Sequence, residues 1–219
     1  MKKGILLVVS GFSGAGKGTL MKKLLEKHAN DYALSISATT RLPRPGEVNG
    51  REYFFVTKDE FRRMIDQDEL IEYASYVDNF YGTPRKYVEE QLQAGKNVIL
   101  EIEIQGALKV KEKLPETRLF FITAPSADEL KNRLEGRGTE TKEVIEARLS
   151  RAYEESLGIE QYDYFVINDE VDRAVEELHT LVMNECNGAT PKNDSNRTSL
   201  NTEYINKVRK ELLSFSKGE

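Results

Sequence analysis

Residues 5–10 read ILLVVS, and residues 11–20 read GFSGAGKGTL. A short unbroken run of branched apolar side chains is the pattern of a strand buried on both faces. Gly11, Gly14, Gly16 and Gly18 follow at once, and then Leu20, Leu24 and Leu25 recur at helical spacing with lysines opposite. Strand, glycine loop and helix form one βα unit, and no other feature constrains the fold as much. Such a loop turns successive backbone N–H groups toward a concave centre and ends at a helix N-terminus, and both attract phosphate. Glycine is needed where φ is positive or where a side chain would block the anion. Lys17 can reach the β- and γ-phosphates as a point charge. A glycine turn without a ligand suits an isolated pair of glycines. It suits a strand, this full spacing, a lysine and a following helix poorly, so the loop is read as a nucleoside triphosphate site.

The loop fits G-x-x-x-x-G-K-[ST] except at its last position. Gly18 stands where a hydroxyl would ligate Mg²⁺, and the hydroxyl arrives one residue later on Thr19. Mg²⁺ prefers six oxygen ligands and keeps several waters. It is therefore expected between phosphates and water, with Thr19 serving a phosphate or an outer-shell water. The run GAGKGT is common in kinases of nucleoside monophosphates, which points toward phosphotransfer and away from GTPase switches.

Three more strands are expected at 96–104, 117–124 and 162–169, separated by helical patterns, so the chain is α/β with a parallel sheet. Its 219 residues allow one sizeable core with small inserted lobes. A net charge of -5 argues against a general nucleic-acid binder. Cys186 is the only cysteine, which excludes an intrachain disulfide and a thiol metal cluster. His28 and His179 lie far apart in sequence, which argues against zinc. No apolar run approaches the roughly 20 residues of a membrane span. The apolar start is too short for a signal peptide and runs straight into the glycine loop. It is read as the first strand of a cytoplasmic protein. Residues 36–85 are polar, with Tyr53, Tyr73, Tyr76 and Tyr81 and the stretch RLPRPGEVNG. Residues 126–157 carry RLEGRGTET and a charged helix. Both read as small lobes set into the core.

The segments SISATTRLPRPGEVNGREYFFV, IEYASYVDNFYGTP, VILEIEIQGA, RLEGRGTET and VIND together resemble the guanylate kinase family. The resemblance covers about residues 4–185 in unbroken order, and several independent motifs agree. It implies a P-loop core with an inserted GMP-binding lobe (about 36–85) and a lid over ATP (about 126–157). It implies transfer of the γ-phosphoryl group of ATP to GMP, and to dGMP, with Mg²⁺, in purine nucleotide metabolism.

Residue by residue, the resemblance assigns ATP to the loop of Gly11, Phe12, Ser13, Gly14, Ala15, Gly16, Lys17, Gly18 and Thr19. It adds the lid arginines Arg133, Arg137 and Arg148, and places Asn168 and Asp169 near the adenine, where a simple turn competes. Arg151 reads as a surface residue. Arg41 and Arg44, with Tyr53 and Tyr81, match positions that hold the GMP phosphate. Guanidinium forks and tyrosine hydroxyls suit that anion, although two arginines beside a proline turn are by themselves usually solvated. Glu72 matches the carboxylate that takes the guanine N1–H and N2–H₂ donors, with Ser37 and Thr83 as hydroxyls near the base. By itself Glu72 reads as an exposed helix glutamate. Glu101 and Glu103 are expected on one face at the end of their strand, facing Mg²⁺ waters or ligand, with a structural salt bridge as the alternative. The family commonly has Asp at the position of Glu103. Lys17, Arg41, Arg137 and Arg148 are the residues expected to carry catalysis.

Two rivals remain. A guanylate-kinase-like scaffold module would bind phosphorylated partners, but such modules typically have degraded P-loops. A kinase of another nucleotide or a sugar phosphate would not need Glu72 and Ser37. Residues 187–219 lie beyond the resemblance. Their first half has the composition of a disordered segment. Ile205, Val208, Leu212 and Phe215 form an amphipathic stretch that could make a terminal helix and dock on the core or on another subunit. The segment is expected not to contribute to catalysis.

Overall fold

A computed structural model describes residues 3–136, 138, 141–189, 196–198 and 201–216, with the backbone alone for Tyr76 and Ser216. The first strand, β1 (Leu6–Gly11), leads through the glycine loop into α1 (Lys17–Lys27). Then come β2 (Tyr32–Leu34), β3 (Ala38–Thr39), β4 (Phe54–Phe55), α2 (Lys58–Asp66), β5 (Leu70–Tyr76), β6 (Asn79–Pro84) and α3 (Arg85–Gln93). The remainder runs β7 (Asn97–Glu101), α4 (Ile104–Lys113), β8 (Arg118–Thr123), α5 (Ala127–Glu135), α6 (Lys142–Ser156), β9 (Tyr164–Ile167), α7 (Val171–Asn187) and α8 (Thr202–Ser216). The fold is mixed α/β. A five-stranded sheet has the order β2-β7-β1-β8-β9, and a four-stranded sheet has the order β4-β3-β6-β5. The chain divides into two compact units, Met1–Val8 with Ala29–Thr117 and Val9–His28 with Arg118–Glu219.

In the first unit β2 and β7 pair in parallel, with Tyr32 opposite Asn97 and Leu34 opposite Ile99. The four-stranded sheet joins β3 and β4 in parallel, and β3, β6 and β5 antiparallel. Ala38, Phe61 and Leu70 form its small core, with Phe54, Val56, Met64, Ile65 and Phe80 packed around them. Helix α2 supplies Phe61, whose ring stacks on Phe80 at 5.4 Å. A reciprocal capping box starts that helix, with Thr57 and Glu60 each satisfying the other's backbone N–H.

In the second unit β8 and β9 pair in parallel, Phe120 opposite Tyr164 and Thr123 opposite Ile167. Helix α1 packs against α7, and Lys23–Asp172 at 2.6 Å and Lys27–Glu176 at 2.7 Å join their exposed edges. His28 and His179, distant in sequence, stack there with ring centroids 3.7 Å apart. Helix α8 packs along α6 and touches α5, burying Ile205, Val208 and Leu212. No helix among the described residues is long and apolar enough to cross a membrane.

One element departs from its sequence pattern. The alternation in EIEI reads as strand to residue 104, yet β7 ends at Glu101 and Glu103 is the N-cap residue of α4. Ala107 and Val110 are buried at helical spacing from Ile104, and an acidic residue suits a helix N-terminus. Glu101 and Glu103 therefore do not share a strand face.

Candidate functional site

The glycine loop lies wholly in the second unit. Gly16 is the N-cap of α1 with φ 81°, and no side chain caps the helix. A Cβ at Gly16 would stand 2.6 Å from Asn168 Nδ2, so both the backbone conformation and the close approach require glycine there. At Gly11 a Cβ would meet the Ile122 carbonyl oxygen at 2.1 Å, which lets the loop leave β1 tight against β8. Phe12 is fully buried, and its ring meets Phe121 edge-on at 4.9 Å. Phe12 thus anchors the loop in the core and presents only backbone to a ligand. Gly18 and Thr19 are exposed at the first turn of α1. The Lys17 ammonium donates to the Gly11 carbonyl at 2.5 Å and to the Phe12 carbonyl at 3.2 Å.

Two side chains from other elements, Asn168 and Arg148, bond to this loop, and Arg133 holds the backbone of the first. Asn168 follows β9 and is 1% exposed. Its amide donates to the Ala15 carbonyl at 2.8 Å, while its buried Oδ1 has no hydrogen-bond partner. Arg133, on α5, donates to the Asn168 carbonyl at 3.0 Å and to Glu129 at 2.7 Å. Arg148, on α6, donates to the Ser13 hydroxyl at 2.8 Å. Asn168 is thus a prop of the loop. Asp169 turns away to pair with Arg173 on α7, and that guanidinium holds its carboxyl below the usual range. Arg151 is exposed and pairs with Glu155 at 3.4 Å. Arg137 lies outside the described residues.

The guanine and phosphate candidates lie in the first unit. Glu72, on β5, is 8% exposed. Its Oε1 accepts from the Thr83 hydroxyl of neighbouring β6 at 2.7 Å. Its Oε2 points toward Gly106, where a Cβ would stand 3.6 Å away. Burial pushes the Glu72 carboxyl above its ordinary value, against the opposing pull of Thr83, Lys109 and Lys113. The helix glutamate suggested by local pattern is therefore a buried strand carboxylate. The Ser37 carbonyl accepts from Phe54 N–H at 2.9 Å, which sets this residue at the mouth of β3. Glu101 and Glu103 are exposed.

Arg41 lies over the rings of Tyr53 at 5.3 Å and Phe55 at 5.7 Å. Tyr53 and Tyr81 meet at 6.1 Å. Sequence reasoning passed over Glu47, which takes the Arg41 Nη1 and Nη2 donors at 2.9 Å each. Glu47 also accepts from Arg44 N–H at 2.7 Å. The fork from Arg41 lowers the Glu47 carboxyl and raises the Arg41 guanidinium in turn. The signal lay in RLPRPGE, because a Pro/Gly turn brings residue 47 back onto residue 41. The side chain of Arg44 is exposed.

A family model for guanylate kinase matches residues 3–185. A guanylate kinase of Caldanaerobacter subterraneus subsp. tengcongensis is 54% identical over 84% of this chain and 89% of its own length. One from Clostridioides difficile is 52% identical over 85% of this chain and 91% of its own. A solved guanylate kinase from Anaplasma phagocytophilum is 34% identical, covers 84% of this chain and 87% of its own, and has a TM-score of 0.65.

Proposed function

The chain belongs to the guanylate kinase family, and from that premise we propose which of its residues bind and move the phosphoryl group. It is an ATP:GMP phosphotransferase, giving ADP and GDP. ATP phosphates take the glycine loop, its N–H groups and Lys17, with Arg133, Arg137 and Arg148 neutralising charge from the lid. GMP takes the four-stranded sheet of the first unit. Arg41, Arg44, Tyr53 and Tyr81 hold its phosphate, while Glu72, with Ser37, Thr83 and Glu103, reads the base. The GMP phosphate is already anionic and needs no strong general base. Its oxygen attacks the γ-phosphorus, the bond to the bridging oxygen breaks, and ADP leaves. Positioning and charge neutralisation carry most of such a step.

The observation that carries this reading is the buried Glu72 carboxylate. One oxygen is satisfied by Thr83 and the other has no protein donor among the described residues. A guanine edge offers two donors to such a group. Adenine offers a lone pair at N1 and would leave a largely buried acid unpaired, which costs more than a missing contact.

The donor set of the loop suits Mg²⁺ held mostly by phosphate oxygens and water. Gly18 offers no ligand, and Thr19 supplies one exposed hydroxyl for the outer shell. When bound, the ion neutralises charge on the β- and γ-phosphates.

A coupled assay of ADP release across GMP, dGMP, AMP, CMP and UMP tests the assignment, with turnover expected on GMP and dGMP. Equal turnover on AMP would overturn the role of Glu72. Lys17→Ala is expected to lower kcat by about a hundredfold or more with the fold intact, and circular dichroism with steady-state kinetics checks both. Near wild-type kcat in a folded variant would remove Lys17 from the mechanism.

A further inference from the structure

The C-terminal segment, beyond the residues matched by the family model, runs over the parts of the second unit where a lid would hinge. A lid that carries α5 and α6 would hinge at the segments flanking them, residues 124–127 and 156–161. At the entry, the Glu211 carboxylate accepts from Ala127 N–H, the first residue of α5, at 3.1 Å. The Tyr204 hydroxyl donates to the carbonyls of Pro125 and Ala124, the latter at 3.2 Å. Burial, then the negative charge of Glu211, pushes that hydroxyl up to about 12, so it stays protonated and donating. At the exit, Arg209 Nη2 donates to the Ser156 carbonyl at the end of α6 at 2.7 Å. It also reaches the Glu160 carboxylate at 2.5 Å.

An acid thus sits at the positive end of α5 and a base at the negative end of α6, each matched to the helix dipole and to an orphan backbone group. Both charges come from one helix. Before α8, residues 196–198 lie along the outer edge of β9. The Asn196 carbonyl accepts from Phe165 N–H at 2.8 Å, and Arg197 bridges antiparallel to Tyr164. That strand leads directly to Asn168, the prop of the phosphate loop. Between the two hinge contacts α8 packs along α6, where Leu149 is buried next to Arg148.

We propose that α8 is a strap across both hinges of the lid, and that Tyr204, Arg209 and Glu211 are positioning residues for the ATP half-reaction. They act through α5 and α6, which carry Arg133 and Arg148. Hinges are short segments that absorb backbone rotation. Side chains bonded to the backbone of both hinges restrict that rotation and hold the two arginines over the phosphate loop. This inference rests on the reading of Arg133 and Arg148 as ATP residues. It stands against the expectation that the segment after residue 187 is silent in catalysis, and the test below decides between the two.

The test uses the full chain carrying Tyr204→Phe, Arg209→Gln and Glu211→Gln together, and a chain ending at Asn187. Both are expected to raise the KM for ATP about fivefold or more, with the Kd for GMP within about twofold. Amide exchange should accelerate about tenfold or more in α5 and α6 and stay unchanged in β5 and β6. The triple variant keeps every apolar contact of α8, so it decides the matter if the shortened chain does not fold. Wild-type KM for ATP in the folded triple variant overturns the strap, whatever happens to Tm, because a purely structural helix would change stability alone. Arg148→Ala with wild-type KM for ATP would overturn the lid reading beneath it, and the exchange rates would then still report on the hinges.

Discussion

A carboxylate buried as deeply as Glu72 costs the protein stability, and in the proposed role it contributes selectivity for guanine. Burial raises its carboxyl above the ordinary value, so the folded chain holds that proton more tightly than the unfolded one. Its contribution is fully present below the unfolded value and is lost as pH rises through the folded one. Glu72→Gln should therefore have a higher Tm than wild type at pH 8, with the gap closing toward pH 4.5, as followed by thermal melts across pH. The same variant should weaken GMP binding by roughly 1.5–3 kcal/mol, the worth of a hydrogen bond to a charged group. Calorimetry with GMP and with a non-hydrolysable ATP analogue separates the two effects. Equal losses for both ligands would put Glu72 outside the guanine pocket. The resemblance makes Glu72, Thr83 and Arg41 candidates, but it pairs neither Thr83 with the Glu72 carboxylate nor Glu47 with Arg41. Strand pairing brings Thr83 beside Glu72, and a turn closes Glu47 onto Arg41, and neither contact has a sequence period.

At the scale of elements, β5 and β6 join through Val77 and Asp78, both with positive φ, at 44° and 63°. Such a two-residue connection matches the twist of a hairpin, but it is built for Asn, Asp or Gly at its first position. Val77 is β-branched, 73% exposed and strained there without a packing return. Val77→Asn is expected to stabilise the chain by about 0.5–1 kcal/mol, seen as a higher urea midpoint at unchanged m-value. An unchanged or lower midpoint would mean that the valine side chain contributes packing that its exposure hides. Elements with strong periods were readable: the apolar strands β1, β8 and β9, and the helices α1 and α6. The two-residue strands β3 and β4 were not, because a segment that short carries no alternation to read. The end of β7 is not legible either, because EIEI satisfies a period of two until Ala107 and Val110 impose a helical one.

At the scale of the whole molecule, each unit carries one nucleotide assignment, so ligand-linked stability should divide the same way. A ligand at about a hundred times its Kd stabilises the folded chain by about 2.7 kcal/mol. An ATP analogue should raise the Tm of wild type and Glu72→Gln but barely that of Lys17→Ala. GMP should raise the Tm of wild type and Lys17→Ala but barely that of Glu72→Gln. Loss of both shifts in either variant would mean that the assignments are not separable. The sequence by itself determined the α/β class, the phosphate loop and the family, because each rests on local order: a buried strand, glycines at set spacing, a helix, and motifs in unbroken succession. Tertiary structure alone decided that Asn168 braces the loop, that Glu72 is buried in a strand, and that α8 crosses the ends of α5 and α6. Those depend on residues tens of positions apart meeting in space, where burial and hydrogen-bond partnership, which no linear pattern encodes, set the chemistry.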